Sequence, residues 1–158
     1  LAQIVIPIGA VPITLQTFAV GLVAAILKPR EATLAATLYL ILGAIGLPVF
    51  AGGGGGLQAF FGPSAGYLLA YPFFALVTSA LAHAKTPIWK IFLAFVLGDA
   101  LVFIGGILSL HFLGKMGWSA AVAVGLTPFI IPDLLKGLIV ALVTKPVLKA
   151  LKNHSYFN

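Results

Sequence analysis

The sequence lacks cysteine and contains very little charge. Its 158 residues include no cysteine and only three acidic and nine basic side chains, which together make up 8% of the chain. Disulfide bonds and thiolate metal sites are therefore excluded. The absence of cysteine does not by itself determine the cellular compartment of the protein. Soluble domains are about 25% charged, so an ordinary water-soluble domain is excluded as well. The histidines His83, His111 and His154 lie on different segments without a helical ligand spacing, and no metal site is expected.

Hydrophobic residues, in contrast, make up 61% of the chain, and the mean hydropathy is +1.18. A signal peptide would be one short apolar run before a polar domain, but here apolar runs continue to the end. The alternation of apolar and polar residues that a transmembrane barrel needs is missing. The sequence therefore predicts an integral membrane protein with helical spans, in which residues 1–158 form a single transmembrane domain.

The apolar runs predict the spans of a six-helix bundle. A helix crosses a bilayer with about 20 mostly apolar residues, and proline, glycine and charge mark its ends. Residues 1–6 are too short to cross, so we expect them to be the outer end of a first helix, of which about 20 residues are missing from this chain. Residues 114–127 resemble a short interfacial segment. The fold class is thus predicted as an all-α membrane bundle of six transmembrane helices, and its other five spans are residues 15–27, 32–47, 65–82, 88–113 and 128–148.

The basic residues predict how these helices are oriented. Most of them fall on one side of the predicted bundle, which the positive-inside rule makes cytoplasmic, and only Lys115 falls on the other side. Both termini are then cytoplasmic, and the glycine-rich segment faces outward. The net charge of +6 therefore reflects cationic helix ends and not nucleic-acid binding. The cytoplasmic set is Lys28, Arg30, Lys85, Lys90, Lys145, Lys149 and Lys152.

Asp99, Asp133 and Lys136 lie inside the apolar spans, away from the cytoplasmic ends that carry the other lysines. Asp133 and Lys136, in "IPDLLKG", are three residues apart and share one face of a helix. If the regular helix begins at Pro132, the positive end of its dipole favours the Asp133 carboxylate. A charge at membrane depth costs at least about 2.5 kcal/mol and usually marks function, so we interpret the pair as a polar clamp for a ligand. An ion pair that only ties helices together fits the same spacing. Asp99 fits either a helix–helix hydrogen bond or a functional role.

Five consecutive glycines, Gly52 to Gly56, interrupt the apolar sequence. Glycine holds a helix poorly, but it offers amide groups and allows a ligand to approach closely. Irregular backbone at membrane depth occurs only where protein buries it or where it lines a cavity. Phe50, Phe60, Phe61 and Tyr67 flank the run with aromatic surface. We therefore interpret the run as the lid and wall of an outward-facing pocket for a small, flat ligand, although a plain flexible loop fits a glycine run too.

Two enzymatic motifs are matched only in part. "GPSAG", Gly62 to Gly66, has the pattern G-x-S-x-G, but that motif needs a strand-turn-helix elbow, and Pro63 and Ser64 instead suit the start of a helix. An intramembrane serine hydrolase that uses Ser64 with His83 or His111 is a minor alternative. The glycine run lacks the Lys-Ser/Thr that follows in a phosphate loop. No enzymatic activity is predicted.

Four ordered blocks stand out along the chain: "VPITLQTFAV" (11–20), "LYLILGAIGLPVFAGGGGG" (38–56), "FGPSAGYL" (61–68) and "PFIIPDLLKG" (128–137). Together they resemble the BioY family, the biotin-binding S-components of energy-coupling factor transporters. The likeness covers nearly the whole chain. Two departures are visible: Ser64 and Ala65 stand where the family often has Thr-Gly, and glycines replace a loop that commonly carries a polar side chain.

The resemblance implies a six-helix membrane protein that captures biotin from outside a prokaryotic cell and needs no cofactor. It implies partnership with a transmembrane coupling protein and two cytoplasmic ATPases. It also implies that Gly52 to Gly56, Asp133 and Lys136 contribute to the biotin site, and it places Gln16 and Tyr67 in matching blocks. Phe60 joins these candidates for its aromatic surface. A stand-alone secondary carrier for a small vitamin, with Asp99 as proton relay, is the alternative function.

Overall fold

The computed structural model describes residues 5–6, 13–14, 16–50, 54–62, 65–82 and 86–151. Within them, six α-helices follow a short strand pair, and two 3₁₀ turns, Leu57–Phe60 and Thr127–Phe129, precede the third and the sixth helix. The strands are β1 (Val5–Ile6) and β2 (Ile13–Thr14). The helices are α1 (Gln16–Ile26), α2 (Pro29–Ala44), α3 (Ala65–Leu81), α4 (Ile88–Phe112), α5 (Trp118–Gly125) and α6 (Ile130–Leu151).

Prolines set several of the helix boundaries, and the helices coincide with the predicted spans. Pro29 opens α2 after Lys28, and extended Pro87 precedes α4. The predicted interfacial segment contains the eight-residue α5. Regular helix α6 begins at Ile130 and not at Pro132, because the preceding 3₁₀ turn runs directly into it. Asp133 nevertheless lies in its first turn.

The amino-terminal segment differs from its prediction. Val5–Ile6 is a strand and not the end of a helix, since it pairs antiparallel with Ile13–Thr14, with Val5 opposite Thr14 and Ile6 opposite Ile13. All four paired residues are β-branched, and such side chains favour extended backbone. Pro7 and Pro12 in the sequence between the strands disfavour a helix there. Residues 1–4 lie outside the described part of the chain.

Helices α3 and α4 pack closely against each other through small residues. A Cβ on Gly66 would collide with the Gly105 carbonyl, and one on Gly98 would collide with Phe74 and Thr78. The rings of Phe74 and Phe95 meet edge to face, with their centroids 5.2 Å apart, and both are fully buried. Helix α3 also contacts α1 and α2, whereas α6 contacts α1 and α4. The α3–α4 pair therefore forms the centre against which the other helices lie.

The hydrogen bonds between helices distinguish the two ends of the bundle. At one end, the Ser79 hydroxyl of α3 donates to the Leu27 carbonyl after α1, at 2.5 Å. At the other end, the Tyr67 hydroxyl near the start of α3 donates to the Gly125 carbonyl of α5, at 2.6 Å. The turn with Lys28 and the end of α3 therefore share one end, and the start of α3 shares the other end with the junction between α5 and α6.

The outer surface of the bundle is apolar. Two helical stretches, Ile88–Phe112 and Trp118–Ala150, are long and apolar enough to cross a membrane, and Gln16–Ile26 and Ala65–Leu81 are shorter apolar helices. Large apolar side chains such as Ile131, Phe73 and Leu97 are more than half exposed, at 72%, 62% and 55%. Side chains of this kind are suited to contact lipid, so the chain is a membrane protein.

Candidate ligand-binding site

A buried ion pair lies in the first turns of α6. The Lys136 ammonium is 3.0 Å from Asp133 Oδ1, and their side chains are only 9% and 6% exposed. The predicted three-residue spacing therefore does bring the two groups together on one face of the helix. Asp133 also lies near the amino-terminal end of α6, where the helix dipole favours a negative charge.

Helix α1 supplies a second partner for the lysine. Lys136 donates to the Thr17 hydroxyl at 3.0 Å, which joins α6 to the first turn of α1. The preceding residue, Gln16, points to another neighbour, because consecutive helical residues differ in direction by about 100°. Its amide nitrogen donates to the Tyr39 hydroxyl of α2 at 2.6 Å. The start of α1 thus connects the ion pair with α2.

Tyr39 continues this network into the segment after α2. Its hydroxyl accepts from Gln16 and donates to the Val49 carbonyl at 2.6 Å. Its ring meets Phe50 edge to face at 5.5 Å between centroids, and Phe50 meets Phe60 in the same manner at 5.8 Å. Phe60, a predicted site residue, therefore belongs to an aromatic cluster next to Gln16.

The glycine run lies beside these aromatic residues, and its described members differ in their hydrogen bonds and backbone conformation. Gly52 and Gly53 lie outside the described residues. Gly54 accepts from the Phe50 amide at 2.9 Å, and the Gly56 amide donates to the Gly43 carbonyl at 2.5 Å. Gly56 therefore forms a turn, with φ of 101°, and its N–H is already used. Between described residues, no hydrogen bond uses the N–H of Gly54 or Gly55.

A cavity of about 420 Å³ opens beside Gln16 and Tyr39. Pro48 and Val49 border it at the segment after α2, and alanines of α1, α2 and α3 form much of its wall. A volume of this size is in the range of pockets for small organic ligands. Ala32 and Ala36, four residues apart on α2, are buried along this wall.

Tyr67 lies near the start of α3, at the junction between α5 and α6. It is buried, its hydroxyl donates to the Gly125 carbonyl, and its ring centroid is 6.5 Å from that of Phe129. Gly106 of α4 makes room for this ring, because a Cβ there would collide with it. Tyr67 thus fixes the junction from which α6 and Asp133 begin.

Asp99 and Tyr71 are two buried groups close to the ion pair. Asp99, on α4, is 4% exposed and lines a cavity of about 170 Å³ together with Asp133. Tyr71, on α3, is also 4% exposed and lies within electrostatic range of Asp99, Asp133 and Tyr39. The sequence suggested Asp99 without placing it, and it gave no signal for Thr17, Tyr39 or Tyr71 beyond their polarity in apolar surroundings.

The described residues show no arrangement that supports the alternative of an intramembrane serine hydrolase. Ser64 and His83 lie outside them. The ring of His111 stacks on Trp118 at 3.8 Å, and its Nδ1 is 2.7 Å from the Met116 carbonyl oxygen. Among the described residues, no group of three or more metal-binding side chains comes together.

These features define a class of protein: a membrane-embedded helix bundle that holds polar groups inside it, with an aromatic cluster and a cavity of about 420 Å³. The BioY family profile matches residues 1–153. The chain belongs to the BioY family.

Named relatives are similar over most of their length. Biotin transporter BioY2 of Lactococcus lactis subsp. cremoris is 41% identical over 159 residues, which cover 99% of this chain and 87% of the relative. Biotin transporter BioY of Thermotoga maritima is 39% identical over 142 residues, covering 90% of this chain and 83% of the relative.

A solved structure agrees with the fold. The crystal structure of the S-component for biotin from an ECF-type ABC transporter superposes with a TM-score of 0.86 at 28% identity. The match covers 98% of this chain and 86% of that one. The predicted fold class, an all-α S-component bundle, is thereby confirmed.

Proposed function

We propose that this protein is the biotin-binding S subunit of an energy-coupling factor transporter, and that it captures biotin for import. The observation that carries the proposal is the buried Lys136–Asp133 pair, held against α1 in a chain of this family. Its named relatives are biotin transporters, and no reaction is proposed for this chain.

The chemistry of biotin matches the groups around this pair. Biotin has a ureido ring with two N–H donors and a carbonyl acceptor, and an apolar chain that ends in a carboxylate. A buried carboxylate accepts from N–H groups, and an ammonium donates to carbonyl or anionic oxygen. We propose that Asp133 and Lys136 bind polar groups of biotin, that the amides of Gly54 and Gly55 add donors, and that Phe50 and Phe60 pack against it.

The remaining predicted residues take supporting roles in this proposal. Gln16 connects the ion pair with Tyr39 and borders the 420 Å³ cavity, and Tyr67 fixes the start of α6. Gly52 and Gly53 are proposed to extend the glycine wall, as the family resemblance implies. Gly56 shapes the turn that precedes the aromatic Phe60.

Biotin titration of purified variants tests the site. Asp133→Asn and Lys136→Ala are each expected to weaken binding at least about 10-fold, or about 1.4 kcal/mol, because each removes a charged partner of the ligand. Thr144→Val on α6 is the matched control, since within the described residues its hydroxyl bonds only to Val140 of its own helix, and its loss should leave affinity unchanged. Wild-type affinity in both site variants would refute the site, and parallel titration with thiamine and riboflavin tests the choice of ligand.

We further propose that a transmembrane coupling protein and two cytoplasmic ATPases drive transport in a prokaryotic cell membrane. The exposed Lys28, Arg30, Lys90 and Lys149 support a cytoplasmic position for their end of the bundle, and by the same rule for the carboxyl end of α6, which carries Lys149. The buried Asp99 favours a second candidate, a proton-driven secondary carrier. Uptake by vesicles that contain only this chain, abolished by a protonophore, would support the carrier and contradict the ATPase-driven proposal.

A further inference from the structure

The Asp99 carboxyl group faces Asp133 across the contact between α4 and α6. Both residues line the 170 Å³ cavity, so their side chains meet in the same small space between the two helices. Asp99 Oδ1 is fully buried and, within the described part of the chain, no hydrogen-bond donor reaches it. The rest of the cavity wall is apolar, formed by Val96, Ala100, Phe103, Ile130 and Leu134.

The charges at this contact do not balance when both carboxyl groups are ionised. Lys136 supplies one positive charge, and the Asp133 carboxylate neutralises it at 3.0 Å. An ionised Asp99 would add a second negative charge in apolar surroundings, which costs several kcal/mol without a partner. The groups that face it are Asp133 and Lys136 on α6 and the neutral phenols Tyr67 and Tyr71 on α3, so no second cation compensates it among the described residues.

We propose that Asp99 carries one proton and donates it in a hydrogen bond to the Asp133 carboxylate, so that Asp99, Asp133 and Lys136 together are electrically neutral. Two carboxylates that share one small, mostly apolar cavity repel each other strongly, and one shared proton removes this repulsion. The proton also explains the orphaned oxygen, because a protonated carboxyl group becomes a donor and needs fewer donors around it.

Asp99 is then a positioning residue for Asp133, a role that rests on the proposed function. The Asp133 carboxylate is fixed on one side by Lys136 and on the other by Asp99, so its remaining lone pairs point in a defined direction for a ligand N–H group. Asp99 itself need not contact the ligand. A neutral donor of the same shape at this position should therefore preserve binding, whereas an apolar residue should not.

Infrared spectroscopy tests the shared proton without any ligand. The chain has only three side-chain carboxyl groups, those of Glu31, Asp99 and Asp133, so a protonated one is readily assigned. In a maltoside detergent, which has no carbonyl group, the wild type at neutral pH should show a carboxylic-acid C=O band. Asp99→Asn should abolish this band, and the control Glu31→Gln should keep it. A wild type without the band, or a band that persists in Asp99→Asn, would overturn the proposal.

Biotin binding tests the positioning role. Asp99→Asn should bind within about threefold of the wild type, since its amide can still donate to Asp133, whereas Asp99→Leu should bind at least about 10-fold more weakly. Thr144→Val is the control, because within the described residues its buried hydroxyl bonds to the Val140 carbonyl of its own helix. If Asn and Leu are equally damaging, the ionised carboxylate is required and the proposal fails, and wild-type affinity in Asp99→Leu removes the positioning role. A wild type that binds no biotin refutes the proposed function, while the infrared result still decides on the proton.

Discussion

At the scale of single residues, the hydroxyl of Tyr39 joins three separate parts of the chain. It accepts from Gln16 of α1, belongs to α2, and donates to the Val49 carbonyl in the following segment. Because the same hydroxyl both accepts and donates, its removal breaks two bonds at once. Each bond of this kind contributes about 0.5–1.5 kcal/mol, and more where a buried group loses its partner.

Tyr39→Phe is therefore expected to lower the free energy of unfolding by about 1–3 kcal/mol and to weaken biotin binding, because Gln16 and the Val49 segment lose their common partner. Thermal unfolding with and without biotin measures both effects. Thr37→Val is the control on the same helix, since its hydroxyl bonds locally to Thr33 and its loss should have little effect. Equal unfolding temperatures for Tyr39→Phe and the wild type would contradict the network.

The ion pair could be anticipated at this scale, but its surroundings could not. Asp133 and Lys136 lie on one helix, so their spacing alone brings them together. Thr17 is 119 positions from Lys136 in sequence, and Asp99 lies on a different helix from Asp133. Such contacts depend on how helices pack, which no local pattern specifies. This is why the sequence left Asp99 ambiguous and did not indicate Thr17.

At the scale of elements, the described glycines of the run differ in backbone conformation, and Gly56 forms a turn. Gly56 has φ of 101° and ψ of 166°, a combination that is essentially restricted to glycine. A Cβ on Gly55 would collide with the Leu47 carbonyl. The sequence predicted irregular backbone here, because glycine disfavours a helix. It could not indicate which glycine forms the turn, since the five are identical in sequence.

Gly56→Ala should reduce stability by about 1–3 kcal/mol, because alanine is strained at this backbone conformation. Gly62→Ala is a matched control in the same segment, since a Cβ there would meet, among the described residues, only the Gln58 carbonyl oxygen, at an ordinary 3.8 Å. Denaturation midpoints of the two variants, compared with the wild type, measure the difference. Equal midpoints for the two variants would show that the turn at Gly56 is not strained by a side chain.

The helices themselves were the most predictable elements. Long apolar runs bounded by proline and charge predicted α2, α3, α4 and α6 to within a few residues. The strand pair at Val5–Ile6 and Ile13–Thr14 was missed, because a six-residue apolar segment fits a strand as well as a helix end. Whether Val5–Ile6 forms a strand or a helix end depends on its pairing with Ile13–Thr14, and not on its own composition.

At the scale of the whole molecule, the distribution of basic residues predicts its orientation. Arg30, after the turn that follows α1, and Lys115, between α4 and α5, are both exposed. The positive-inside rule places the first in the cytoplasm and the second outside. The absence of native cysteine makes each position testable with one introduced thiol.

Lys115→Cys should react with a membrane-impermeant maleimide on intact cells, whereas Arg30→Cys should react only after the membrane is permeabilised. The unmodified chain, which has no thiol, serves as the blank for both. Labelling in the reverse order would invert the proposed orientation and place the aromatic and glycine segment on the cytoplasmic face.

The seclusion of Lys136 and Asp133 from water has a consequence for the environments in which the protein can work. At 0.1 M salt, dissolved ions screen the interactions between exposed charges that are more than about 10 Å apart. They hardly screen the Lys136–Asp133 pair, because its side chains are only 9% and 6% exposed. We therefore expect the biotin affinity to change less than about twofold when salt is raised tenfold from this level. Calorimetric titration at both salt concentrations measures the affinity. A steep decline in affinity at high salt would show that dissolved ions reach the site. Uptake of the vitamin should thus begin equally well in dilute and in salty surroundings.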